Sequence, residues 1–204
     1  MYIELLGLSG LKIQTNDTVV LLAPPGKKSE IKSSRMKADI VVLKSPNDEV
    51  NIEPRAEKLF TIKNPGEFES SGIFVYCTAQ PEKGEPKSLM NLINIEGVTI
   101  AHLADLGHQL SDAQHELFEG ADVLLVPVGG KDVLDAKAAK QLIEKIEPRV
   151  VIPMHAALKG LKTSYDDIEK FWKVIGTTPE PQERIKITKK ELPQETMDIL
   201  HLTP

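Results

Sequence analysis

Short alternating and apolar segments fill the first half of the chain, and turn residues separate them. Tyr2–Leu6, Gly10–Gln14 and Thr18–Leu22 read as strands divided by Gly, Asn and Asp. Pro24-Pro25-Gly26 stops the third, and the polar run Lys27–Lys37 reads as a loop. Ala38–Leu43 is a buried-type strand ended by Ser45-Pro46-Asn47-Asp48. Strands follow at Lys58–Ile62, Gly72–Thr78, Leu89–Ile95 and Val98–Leu103, with a polar hairpin loop over Pro81–Lys87.

From Ser111 onward the period changes. Ser111–Phe118 starts with an N-cap residue and an acidic first turn, so it reads as a helix. Ala121–Val128 is an unbroken apolar strand, Asp135–Ile146 a helix with an Asp N-cap, and Arg149–His155 another buried strand. Tyr165–Ile175 has the spacing of an amphipathic helix, and Arg184–Thr188 that of a final strand. Strands first and β-α-β-α-β afterwards predict an α/β protein with helices on sheet faces. With no Gly/Ser linker or internal repeat, residues 1–204 are taken as one domain.

Composition narrows the function class only in part. The chain has 204 residues, 41% hydrophobic and 27% charged, enough for a sizeable core. A formal net charge of −5 with interleaved signs argues against nucleic acid as a partner. The single cysteine, Cys77, excludes an intrachain disulfide and reads as a buried structural thiol. Neither a signal peptide nor a membrane-length apolar run is seen, so the expected location is the cytoplasm.

The chemistry-bearing residues stand at strand ends. Asp105 and His108 follow the strand Val98–Leu103, and His155 closes Val150–Met154. Taken singly, each reads as a residue that satisfies local backbone groups. Parallel strands joined by crossovers, however, bring their C-terminal ends to one sheet edge, where α/β ligand sites form. Asp105 and His155 are therefore expected to converge. His102 lies inside its strand and reads as a core or surface histidine, and His115 and His201 as exposed. Gly129-Gly130-Lys131 lacks the spacing of a phosphate loop, and there is no Gly-x-Ser-x-Gly nucleophile elbow.

Several ordered segments together resemble the metallo-β-lactamase-fold, Zn-dependent hydrolase family of the UlaG-like type. They are Thr99–Gln114, Ala121–Gly130, Asp135–Ala139, Ile146–His155 and the Asn64-Pro-Gly-Glu-Phe-Glu69 run with Gly72-Ile73. With the opening Leu5–Ile13 and Ala38–Asn51, the resemblance covers roughly residues 1–160. It implies an αββα four-layer sandwich.

The resemblance also implies a His-x-His-x-Asp-His ligand motif after Ala38–Leu43. Here Ser45, Asn47 and Val50 stand at the histidine positions and Glu49 at that of the Asp. A further family histidine falls at Ala79 or Gln80, the Asp after the third strand is Ala23, and the Gly before Asp105 is Ala104. Asp105 then matches the bridging carboxylate and His155 the last histidine ligand. Residual metal ligands would be Asp105, His155 and Glu49, with His108, Asp48 and Asn47 as further cleft residues. Such a set suits at most one metal, Zn or, better matched to its carboxylates though weakly held, Mn or Mg, or no metal at all. The expectation is a hydrolase-like protein, catalytically impaired or metal-free for want of most ligand histidines, whose former active-site cleft binds a small molecule or a protein. The alternative is a one-metal hydrolase of an ester, lactone or phosphodiester.

Overall fold

The computed structural model describes residues 1–27, 29–31, 35–79 and 88–204. In chain order the strands are β1 (Tyr2–Leu5), β2 (Leu11–Gln14), β3 (Val19–Leu22), β4 (Met36–Ala38), β5 (Ile40–Val42), β6 (Ile52–Pro54), β7 (Phe60–Ile62), β8 (Gly66–Ser70), β9 (Ile73–Ala79), β10 (Leu89–Ile95) and β11 (Val98–His102). Helix α1 (Asp112–Phe118), β12 (Val123–Pro127), α2 (Ala136–Ile146), β13 (Val150–Met154) and α3 (Ile168–Ile175) follow. The chain closes with β14 (Pro181–Gln182), β15 (Ile185–Lys186), β16 (Asp198–Ile199) and β17 (His201–Leu202). The polar loop expected over Pro81–Lys87 lies outside the described residues.

Two sheets face each other. The first runs β15-β1-β2-β3-β5-β7 and the second β16-β13-β12-β11-β10-β9-β8. Their inner faces meet through Ile13, Val20 and Val42 on one side and Ile93, Ile100 and Leu125 on the other. Period-2 alternation produces this: in β2, Leu11 and Ile13 point inward while Lys12 and Gln14 do not. On the second sheet's outer face, Leu124, Val126 and Val151 pack under Phe118 of α1, Ile143 of α2 and Phe171 of α3.

The sandwich architecture is as the sequence implies, with one difference in the fourth layer. Among the described residues the outer face of the first sheet is covered by the β4–β6 pair rather than by a helix. Val19, Leu21 and Val41 pack there with Met36, Val50 and Ile52. The strand expected over Ala38–Leu43 is split at Asp39, whose Oδ2 accepts from the Val19 N–H (2.8 Å) and from Arg55 (2.5 Å). That anchor lets the chain leave the outer pair and enter the sheet.

Helix starts are locally encoded. Ser111 and Gln114 form a reciprocal capping box (3.0 and 3.3 Å), and Asp135 Oδ1 accepts from Ala138 N–H (2.8 Å). Helix α3 begins at Ile168 rather than at Tyr165. Asp166 donates its backbone N–H to Gly129 (2.8 Å), which holds the preceding residues as a loop. Among the described residues no helix is long and apolar enough to cross a membrane.

Candidate functional site

β3, β5 and β7 run parallel in the first sheet, and β11, β12 and β13 in the second. The residues just beyond β3, β5, β11 and β13 meet along one edge, around a cleft of about 410 Å³. Ala23 comes from the end of β3, Lys44 to Glu49 from beyond β5, Asp105 from beyond β11 and His155 from the end of β13. The β1–β2 hairpin supplies Leu8, Ser9 and Gly10, and the loop before α3 supplies Tyr165. Placement at the carboxyl ends of parallel strands is where α/β folds put ligands.

Asp105 is the centre of the cluster. Its Oδ1 accepts from the Ser9 hydroxyl (2.8 Å) and lies 3.2 Å from His155 Nδ1. Its Oδ2 lies 2.9 Å from the Lys44 ammonium. Burial alone would raise the Asp105 carboxyl pKa, but the His155 contact and Lys44 outweigh it and hold the group well below the usual carboxylate range. Burial pulls Lys44 the other way, yet Asp105 beside it leaves its pKa raised. Both groups are therefore charged at neutral pH.

His155 is only 4% exposed, and neither ring nitrogen makes a hydrogen bond of normal geometry: Nδ1 faces Asp105 Oδ1 at 3.2 Å and Nε2 has no partner. Its ring meets Tyr165 edge-on at 4.6 Å between centroids. Burial, and then Asp105, raise the Tyr165 pKa. His102 sits behind the cluster, fully buried, with Nε2 2.8 Å from the Ser9 carbonyl oxygen. Burial pulls its pKa down to about 4 despite that hydrogen bond, so at pH 7 it is neutral and donates Nε2–H to Ser9.

Backbone strain gathers at the same edge. Ala23 (φ 43°), Ala104 (φ 47°) and His155 (φ 60°) adopt the left-handed conformation without being glycine. Each costs on the order of 1 kcal/mol or more, and such residues concentrate at functional sites. At Ala104 the family resemblance implied glycine, and the positive φ supplies the reason. His155 is held in place because its N–H donates to the Leu8 carbonyl (2.7 Å) and Gly129 packs against its carbonyl oxygen.

The structure brings together Asp105 and His155, but the other sequence candidates are placed differently. Glu49 lines the cleft, yet its side chain is 69% exposed and its carboxylate lies 3.8 Å from the Lys27 ammonium. Asp48 closes its own turn by accepting from the Ser45 N–H (3.0 Å). Asn47 lines the cleft wall. Val50 turns away and packs in the outer layer of the first sheet. His108 is not among the cleft residues. It lies with His115 against α2, around a separate cavity of about 60 Å³, with Nδ1 2.9 Å from Gln109 O. His115 and His201, expected to be exposed, are half-buried, and His201 packs on Trp172. Gln80 lies outside the described residues. Cys77 is buried against Asn91 (2.9 Å), and burial pushes its thiol up to about 12, as suits a structural role.

Sequence reasoning missed Ser9, Lys44 and Tyr165. Lys44 carries the same signal that singled out Asp105: a charged residue just past a buried strand. Ser9 and Tyr165 have no such signal, because only folding brings them near Asp105.

As arranged, the cleft does not present a metal donor set. Among the described residues no three His, Cys, Asp or Glu side chains cluster in a way that could hold a metal ion. Asp105, which would have to be the principal ligand, already has an ammonium on one oxygen and the Ser9 hydroxyl on the other, with His155 Nδ1 3.2 Å from that second oxygen. A divalent ion about 4 Å from that ammonium would meet a repulsion of about 8 kcal/mol at an effective dielectric of about 20. Zinc or manganese therefore does not fit these side chains where they stand.

The two facing sheets, with helices outside the second, a strand pair outside the first and a polar cleft at the strand ends, define a metallo-β-lactamase-like sandwich. Residues 2–155 match the family model for the beta-lactamase superfamily domain, and the chain belongs to that family. A "UPF0173 metal-dependent hydrolase" of Pyrococcus furiosus is 33% identical over 87 residues, 42% of this chain and 37% of that protein. A second Pyrococcus furiosus protein, "UPF0173 protein PF0020", is 45% identical over 56 residues, 28% of this chain and 26% of the relative. The matches to these curated relatives thus span well under half of their length. Among solved structures, a Thermotoga maritima protein assigned to the Zn-dependent hydrolases of the metallo-beta-lactamase superfamily superposes over 100% of both chains. Its TM-score is 0.83 and its identity 25%. The metallo hydrolase Igni18 of Ignicoccus hospitalis shares the fold, with a TM-score of 0.62 and 16% identity over 92% of this chain and 99% of that one.

Proposed function

We propose that this family member uses its strand-end cleft to bind a small molecule without a metal centre, and that metal-dependent hydrolysis is absent or impaired. The observation that carries the reading is that both Asp105 oxygens are engaged by the chain, Oδ2 by Lys44 and Oδ1 by Ser9, with His155 3.2 Å from Oδ1. A bridging water activated by two metals is the nucleophile of such hydrolases, and a carboxylate already held by the chain's own donors does not support it. A cleft of about 410 Å³ is of the size that takes a small ligand. Lys27 and Lys44 are balanced there by Asp48, Glu49 and Asp105, which disfavours a polyanion such as nucleic acid. The single cysteine agrees with a reducing, cytoplasmic setting. The test is metal analysis of purified, tag-free protein. Metal well below one equivalent is expected, and stoichiometric, tightly bound zinc would overturn the reading.

A second reading draws on the names of the relatives and on the unpartnered Nε2 of His155. In it, Asp105, His155 and Glu49 rearrange around one metal ion to hydrolyse an ester, lactone or phosphodiester. It requires Asp105→Ala and His155→Ala to abolish metal-dependent turnover, and unchanged turnover in both variants rejects it.

A further inference from the structure

We infer that the Lys44 ammonium is the resident cation of the cleft: it stands on the carboxylate a metal would need, and it offers its remaining hydrogens to a carboxylate or carbonyl oxygen of the bound molecule. This deepens the metal-free reading and rests on it.

Lys44 starts from a fixed point. The Leu43 N–H donates to Ile62 (2.9 Å) in the first sheet, and the Lys44 carbonyl accepts from Leu89 N–H (2.8 Å) in the second. Its backbone thus ties the two sheets together at the cleft edge, and its side chain runs to Asp105 Oδ2. The other carboxylate oxygen accepts from the Ser9 hydroxyl and faces His155 Nδ1 at 3.2 Å, so each oxygen of Asp105 has a partner from the chain. An ammonium carries three hydrogens, and Asp105 is its only ion-pair partner among the described residues. At 38% exposure, and lining the cleft, the group is accessible to a ligand. Lys44 supplies a fixed positive charge and hydrogen-bond donors. Unlike a metal, it does not generate a bound hydroxide, so it holds and polarises an oxygen rather than hydrolysing a bond.

Zinc titration by calorimetry separates this inference from the reading beneath it. The wild-type protein, Lys44→Met and Lys44→Gln are compared as full chains, with circular dichroism confirming the fold; either variant that folds decides. The expected result is no measurable zinc binding by the wild type and at least a tenfold gain in affinity in the variant. That gain is expected to vanish when Asp105→Asn is added. A folded variant that binds zinc no better than wild type overturns the inference and leaves the metal-free reading standing. Tight zinc binding by the wild type overturns both. Acetate, titrated while amide shifts are followed by NMR, tests the ligand oxygen. Saturable shifts around Lys44 are expected in wild type and Lys44→Arg and not in Lys44→Met, and their absence from the wild type overturns that half of the inference.

Discussion

Ser9 and Asp105 join the two sheets of the sandwich: the Ser9 hydroxyl, on the β1–β2 hairpin, donates to Asp105 Oδ1 at 2.8 Å. The carbonyl of the same residue accepts from His102 at 2.8 Å. One serine, 6% exposed, thereby connects the buried histidine behind the cleft to the carboxylate at its centre. Replacing it with alanine removes a hydrogen bond to a charged, partly buried acceptor. Ser9→Ala is expected to lower stability by about 1–3 kcal/mol in urea denaturation. An unchanged midpoint and slope would show that the contact contributes nothing.

His102 makes stability depend on pH. Its pKa falls from 6.5 to about 4 in the folded protein. Between those values the unfolded chain binds a proton that the folded protein does not. Stability from this group is therefore full above pH 6.5, declines as pH falls through that value, and stops declining below about pH 4. The total is about 3 kcal/mol. Denaturation curves at pH 7 and pH 4.5 should show most of this loss in the wild type and a smaller loss in His102→Gln. Equal losses in both proteins would remove His102 as the source.

Gly129 holds His155 in place by lacking a side chain. A Cβ there would lie 2.1 Å from the His155 carbonyl oxygen and 3.1 Å from the Tyr165 Cβ. The nearest of these atoms is backbone, so the added methyl must push β13's end outward. Gly129→Ala is expected to destabilise by about 1–3 kcal/mol and to shift the His155 and Tyr165 ring resonances in NMR. Wild-type stability together with unmoved ring signals would mean the close approach is relieved without cost.

Much of the strand layout is legible in the residues themselves, because alternation in β2 and the apolar runs of β12 and β13 report directly which faces are buried. Ser111 and Asp135 announce their helices through their own side chains. The parallel β11-β12-β13 order follows from the crossovers, and with it the meeting of Asp105 and His155 at one edge. Periodicity does not reveal β4 and β6, three-residue strands that pair only with each other over the outer face. Nor does it separate Asp105 from His108: both follow the same strand, but only Asp105 stays at the cleft, while His108 is carried beyond Gly107 toward α2.

The sequence by itself determined the long core strands such as β2, β12 and β13, the starts of α1 and α2, and the edge on which a site would form, since these depend on local periodicity, capping and crossover handedness. Only the tertiary structure decided what touches Asp105. Ser9 and Lys44 reach it from separate segments, as Tyr165 reaches the His155 ring, and these contacts depend on how two sheets and a loop pack, which no local pattern encodes. The same packing placed an ammonium where the motif comparison had shown only missing histidines, because a side chain's partner is set by distance in space rather than by spacing along the chain.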